Sequence, residues 1–147
     1  MAFMAHPIRL RGPWQCELVQ EADARTQTVQ MPANWADFLP SEHAGSVALT
    51  RRFGQPAGLT SADRVYLVIV LDTAGGAGPE SVWLNEARLA LTLSATEMRC
   101  DLTELLNPRN GLRMEFAAAA AGVPRQGRPP EVWLEIVEGS SAGERLV

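Results

Sequence analysis

A chain of 147 residues is the size of one ordinary domain and can bury roughly 68–70% of its unfolded surface, so it needs neither disulfide nor metal to hold a core. Its composition, 46% hydrophobic and 20% charged, excludes a disordered chain, and no segment approaches the roughly 20 apolar residues of a membrane-spanning helix. The net charge of −4, with all 13 basic residues Arg and scattered, argues against nucleic acid, whose affinity comes from clustered cations that release counterions.

Residues 1–14 carry Arg9 and Arg11 where a signal peptide needs an unbroken apolar run, so a cytoplasmic location is expected. Trp14-Gln15-Cys16-Glu17-Leu18 alternates, with Trp14, Cys16 and Leu18 on one face, and predicts a strand. A short second strand is predicted over 28–31, stopped by Pro32. Over 46–53, Val47, Leu49, Arg51 and Phe53 are in phase. The segment 64–71 is rich in β-branched residues and is the strongest strand signal. Segments 81–84 and 87–93 flank Asn85-Glu86, a two-residue hairpin turn, because Asn tolerates positive φ. Further strands are expected over 96–101, through the alternating Leu112, Met114 and Phe116, and over 131–137. Eight to nine short strands separated by Gly, Pro, Asn and Ser predict an all-β sandwich or barrel. Helix signals amount to one turn after Asp101, ended by Pro108. Ala117 to Ala121 reads as a strand end passing into a loop. Segments 73–79, 122–130 and 139–147 read as flexible, which places one domain at 1–138 and a tail at 139–147. The glycines at 75–78 lack the Lys-Ser or Lys-Thr and the helix of a phosphate loop.

Cys16 and Cys100 lie in apolar-alternating stretches and read as buried free thiols; no second Cys or His stands at zinc-ligand spacing, so no metal and no cofactor are expected. His6 and His43 are isolated and read as surface residues. Trp14, Trp83 and Trp133 sit within strands and are expected in the core. Trp35 follows Pro32 in a loop; if sugar is bound at all, Trp35 is the expected stacking residue, with Asn34 or Arg51 supplying hydrogen bonds. An inward Arg51 needs an acidic partner. The strand 65–71 is apolar on both faces, so Tyr66, Val68 and Val70 need a cover: the N-terminal segment, the 117–130 loop, or another protein chain.

Six segments, in order, resemble the N-terminal sugar-binding domain of family 2 glycoside hydrolases of the β-galactosidase and β-glucuronidase type. They are Ile8 through Trp14, Val29 through Trp35, Arg51-Arg52-Phe53, Arg64 through Asp72, Val82-Trp83-Leu84-Asn85, and Asp101-Leu102-Thr103 continuing to Leu112. The resemblance implies a galactose-binding-like jelly-roll sandwich, and an Arg51–Asp72 ion pair follows from where Asp72 ends its strand. Glu86 departs from the family pattern by standing where the hairpin usually has Gly. The resemblance includes none of the catalytic barrel that carries that family's two glutamates, and nothing marks two of the 17 acids as a pair. The expectation is therefore a non-catalytic interaction domain that pairs with itself or with a protein partner. A free-standing carbohydrate-binding module is the alternative, and a hydrolase acting alone ranks third.

Overall fold

The computed structural model describes residues 5–18, 26–39, 45–71, 78–117 and 127–139. They form an all-β sandwich of two antiparallel sheets. The five-stranded sheet runs β1 (Ala5–Arg9), β11 (Glu131–Val137), β5 (Arg64–Val70), β9 (Glu97–Asp101), β8 (Thr92–Ser94). The six-stranded sheet runs β3 (Thr26–Val29), β2 (Trp14–Leu18), β4 (Val47–Gly54), β10 (Arg109–Phe116), β6 (Ser81–Leu84), β7 (Ala87–Arg88).

Period-two alternation builds the core. Trp14, Cys16 and Leu18 of β2 share an inner face with Val47 and Leu49 of β4 and with Leu112, Met114 and Phe116 of β10. Opposite them, β5 sends in Val65, Leu67 and Ile69, and β11 sends in Val132 and Leu134. Each such side chain contributes about 1.5–3 kcal/mol when fully buried. Cys16 is buried, Cys100 is half-buried, and both are free thiols; burial pushes the Cys100 thiol up.

Eleven strands appear among the described residues, against the eight to nine expected. The segment over 87–93 is not one strand. Its start pairs with β6 as β7, and its end pairs with β9 as β8, so the chain crosses between the sheets around the buried Leu89. The first edge strand, β1, has no alternating signal because Pro7 interrupts it; proline is tolerated there as β1 pairs on one side only. The second expected strand is shifted toward the N-terminus and ends at Val29. The turn after Asp101 stays a turn, closed by a hydrogen bond from Leu105 N to Leu102 O at 2.8 Å.

A four-residue helix, α1 (Trp35–Phe38), stands where a loop was expected. Asn34 precedes it, and Asp37 Oδ2 accepts the Asn34 backbone N–H at 3.1 Å. The Asn85-Glu86 turn forms as expected: both residues have positive φ, 50° and 73°, and Leu84 pairs with Ala87 across it. Segments 72–77, 118–126 and 140–147, which hold most of the three stretches read as flexible and the Ala118–Ala121 stretch, lie outside the described residues, as does His43. Within the described part, the Gly139 N–H is accepted by Asp63 Oδ1 at 3.1 Å.

Candidate functional site

Outward-facing residues of the six-stranded sheet line up in rows because every pairing is antiparallel and in register. The middle row reads Thr28, Gln15, Thr50, Arg113, Trp83, Arg88 across six strands. The row beside it reads Glu17, Ala48, Glu115, Ser81. These rows border an open concavity floored by Trp83, Thr50, Arg113 and Gly111. A Cβ added at Gly111 would meet nothing within 4 Å, so the space beside Trp83 is clear.

The face is held rigid by its own polar network. The Trp83 indole N–H donates to Ser81 Oγ at 3.1 Å, and that hydroxyl donates to Glu115 Oε1 at 3.0 Å. Arg113 donates to Glu115 Oε2 at 2.8 Å and to Glu17 Oε1 at 3.2 Å. The small Ala48 sits between Glu17 and Glu115 and leaves room for this bridge. Arg113 holds the Glu115 carboxyl below the usual carboxylate range; burial opposes this, and Ser81 reinforces it. Arg88 lies over the Trp83 ring at 6.0 Å from its centroid. The result is a half-buried indole with fixed tilt beside hydrogen-bonding groups that are already paired. Such a surface can stack a ring and exchange hydrogen bonds with it at little ordering cost.

Of the residues expected to bind sugar, Trp35 and Asn34 do not line this concavity and Arg51 borders it. Trp35 is 2% exposed and its ring packs against Phe38 and Phe116, at 5.5 and 5.0 Å between centroids, so it offers no face to a ligand. Asn34 is exposed at the start of α1, where its backbone N–H is taken by Asp37. Arg51 borders the concavity, but its guanidinium donates to backbone oxygens of Arg52 at 2.7 Å and Gly12 at 3.1 Å. Its Nε is buried without a hydrogen-bond partner, and desolvation pulls its pKa down. Asp72, its expected ion-pair partner, lies outside the described residues. Of the three tryptophans expected in the core, only Trp14 is there, its indole N–H donating to Leu10 O at 2.7 Å. Trp83 and Trp133 occupy outer faces. The strand pattern assigned them to strands correctly and also carried the phase: Trp83 is in phase with Ser81, and Trp133 with Glu131 and Glu135, while the buried Val82, Leu84, Val132 and Leu134 form the apolar inner phase.

The face of β5 expected to need a cover is covered from within. Val68 is 0% exposed because register sets it between Trp133 and Arg99. Arg99 reaches across the sheet to Glu135 and to Glu97, the latter at 3.0 Å, and its guanidinium lies 5.0 Å from the Tyr66 ring. Arg9 of β1 caps the Trp133 ring at 4.8 Å. Tyr66 and Val70 remain half-buried. The cover is mainly a neighbouring-strand tryptophan and two arginine stems, with the N-terminal strand contributing one of them.

Among the described residues, no three His, Cys, Asp or Glu side chains gather as a metal site. No described helix is long and apolar enough to cross a membrane.

No family model matches the sequence, and no curated protein matches it. Solved structures do. A Faecalibacterium prausnitzii β-glucuronidase is 18% identical with a TM-score of 0.67, over 92% of this chain and 32% of that chain. A Ruminococcus gnavus β-glucuronidase in complex with D-glucuronic acid is 13% identical with a TM-score of 0.65, over 91% and 30%. A Bacteroides vulgatus β-glycosidase is 14% identical with a TM-score of 0.60, over 89% and 20%. The chain thus spans a fifth to a third of these glycosidases. The fold found is the one that the motif resemblance implied: an all-β sandwich that aligns with part of each of these longer chains.

Proposed function

We propose that this chain is a non-catalytic recognition domain, and that the outer face of its six-stranded sheet takes a neutral oligosaccharide at Trp83. The observation that carries the reading is the fixed Trp83 ring beside the open floor at Gly111. Its surrounding charges, Arg113 against Glu17 and Glu115, are already paired, which favours a polyhydroxylated ligand without net charge. The same network speaks against hydrolysis. A glycosidase needs one protonated carboxyl poised as acid, and Glu115 is held ionised by Arg113. Tryptophan fluorescence titrated with neutral oligosaccharides tests the reading. Saturation that disappears in Trp83→Ala and in the space-filling Gly111→Leu supports it; saturation unchanged in both sinks it.

The second reading is protein association. It is favoured by the short share of each glycosidase that this chain spans, since in a longer chain such a domain has neighbours. It does not rest on Tyr66, Val68 and Val70, whose face is largely covered by the chain itself. Light scattering at high concentration separates the two: a monomer that binds sugar supports the first, and a dimer without sugar binding supports the second.

A further inference from the structure

We propose that the outer face of the six-stranded sheet holds a phosphate site between Arg52 and Arg109, filled by inorganic phosphate or by the phosphate group of a small monoester. The concavity beside Trp83 runs on, past Gly111, into a second open one of about 500 Å³ lined by Arg52, Phe53, Gly54, Arg109, Asn110 and Gly111. The arginines nearest Trp83 are taken, Arg113 by Glu17 and Glu115 and Arg88 by the indole ring. The second concavity has no acid among its described lining residues. The proposal does not rest on a sugar at Trp83.

Strand register places the two cations. Arg52 of β4 faces Gly111 of β10, and Arg109 of β10 faces Gly54 of β4. All four lie on the exposed phase, alternating with the half-buried Phe53 and the buried Asn110. The arginines are therefore diagonal neighbours on one face, roughly 7–8 Å apart at the backbone and within common reach of long side chains. The glycines leave the floor between them bare. A Cβ at Gly111 would meet nothing within 4 Å, and one at Gly54 only Pro108 O at 3.7 Å, so neither arginine stem lies across the glycine opposite it. Arg113 and Arg99 differ, each laid along its sheet by two carboxylates. Among the described residues no ion pair or hydrogen bond engages the Arg52 or Arg109 guanidinium, and Glu86, at the edge of the Trp83 concavity, pairs with neither.

The backbone beneath the site is fixed. Asn110 Oδ1 accepts from Asn107 N and its Nδ2 donates to Asn107 O, both at 2.8 Å, which closes the turn that carries Arg109. Gln55 N donates to Pro108 O at 3.0 Å and ties that turn to the end of β4. Binding then has only two arginine side chains to order. Two converging guanidinium groups match one compact partner that carries about two negative charges and oxygens on several sides. A phosphate group has a charge of about −1.5 to −2 at neutral pH and at least three acceptor oxygens. A single carboxylate has one charge and two oxygens and leaves half of the site unmatched. The bare glycine floor lets the group approach the sheet between the two stems.

The test is an amide-resolved NMR titration of the purified chain at constant ionic strength with inorganic phosphate, glucose 6-phosphate, glucose and acetate. Saturable shifts at Gly54, Arg109 and Asn110 are expected with both phosphates and not with glucose, and acetate should bind more weakly by about tenfold or more. Tighter binding of the ester than of inorganic phosphate names a monoester as the occupant; equal or weaker binding names the free ion. Arg52→Gln and Arg109→Gln should each weaken phosphate binding by about fivefold or more at an unchanged melting temperature, because both side chains are exposed. Arg52→Lys and Arg109→Lys should keep part of the affinity. Arg11→Gln, which removes the same charge from an exposed arginine outside both concavities, should change it by less than about twofold. Failure of the sugar reading shows instead as no response of the Trp83 indole to oligosaccharide, and leaves these outcomes unaffected. No saturable shift with either phosphate, an equal response to acetate or glucose, or equal losses in Arg11→Gln and in the Arg52 and Arg109 variants would overturn the proposal.

Discussion

Asn110 shows how much one buried amide can organise. It is 3% exposed, its Oδ1 accepts from Asn107 N at 2.8 Å and from Asn85 Nδ2 at 2.9 Å, and its Nδ2 donates to Asn107 O at 2.8 Å. Asn110→Leu strands these partners, and urea unfolding should show a loss of about 2–3 kcal/mol; a loss under about 1 kcal/mol would mean that water replaces the amide freely. Asp101 makes a different kind of prediction. Burial disfavours its carboxylate, but hydrogen bonds from Thr103 N at 2.9 Å, from Thr103 Oγ1 at 2.6 Å and from Arg64 outweigh that and hold its pKa below the usual range. A depressed folded pKa contributes stability that is fully present above the unfolded value, about 4, and is lost as pH falls through the folded value. Asp101→Asn should therefore melt lower than wild type near neutral pH, and the gap should close at acid pH. A gap of constant size from neutral to strongly acid pH would show that the charge of Asp101 does not contribute. Neither role was visible as a site in the sequence, where both residues belong to the segment that carries the family resemblance.

The element most open to improvement is the hairpin from β6 to β7. Both turn residues sit at positive φ, which Asn85 tolerates and Glu86 does not. Asn85 is also fastened from the side, its Oδ1 accepting the Gly111 N–H at 2.8 Å. Glu86→Gly should raise stability by about 1 kcal/mol, read as a higher urea midpoint at unchanged slope. An unchanged or lower midpoint would mean that the Glu86 side chain makes up for its backbone conformation. This turn was legible because its chemistry is local: an Asn followed by one residue between two apolar segments. The split of 87–93 between two sheets was not legible, since Leu89, Leu91 and Leu93 continue one alternation while the chain leaves one sheet for the other. Leu93 ends up exposed on β8, in keeping with a three-residue edge strand rather than a core position.

Across the whole molecule, the two outer faces are built on one plan, with an arginine laid over its own sheet between two carboxylates. Arg113 spans Glu17 and Glu115 on one side, and Arg99 spans Glu97 and Glu135 on the other. The difference lies at the centre of each face. Under Arg99 the sheet carries Tyr66 and the fully buried Val68, whereas beside Arg113 it carries Gly111 and open space. Val68→Glu is accordingly expected to destabilise the fold by about 3 kcal/mol or more, because it buries an unpaired carboxylate. A lower melting temperature with no change in the wild-type association state is the outcome to look for. A well-folded mutant monomer derived from a wild-type dimer would restore the β5 face as an association surface.

The sequence by itself determined the all-β class, most strand positions, the type of the Asn85-Glu86 turn and the resemblance to a glycosidase sandwich domain. These follow from period-two alternation and from short-range turn chemistry, which are properties of neighbours in the chain. Only the tertiary structure decided that Trp35, at the start of the short helix α1, is enclosed by Phe38 and Phe116. It also decided how the outer face of β5 is covered, because Arg99, Trp133 and Arg9 reach it from strands distant in sequence. Strand register across a sheet is a long-range choice, and the environment of each outward side chain is set by the strands placed beside it.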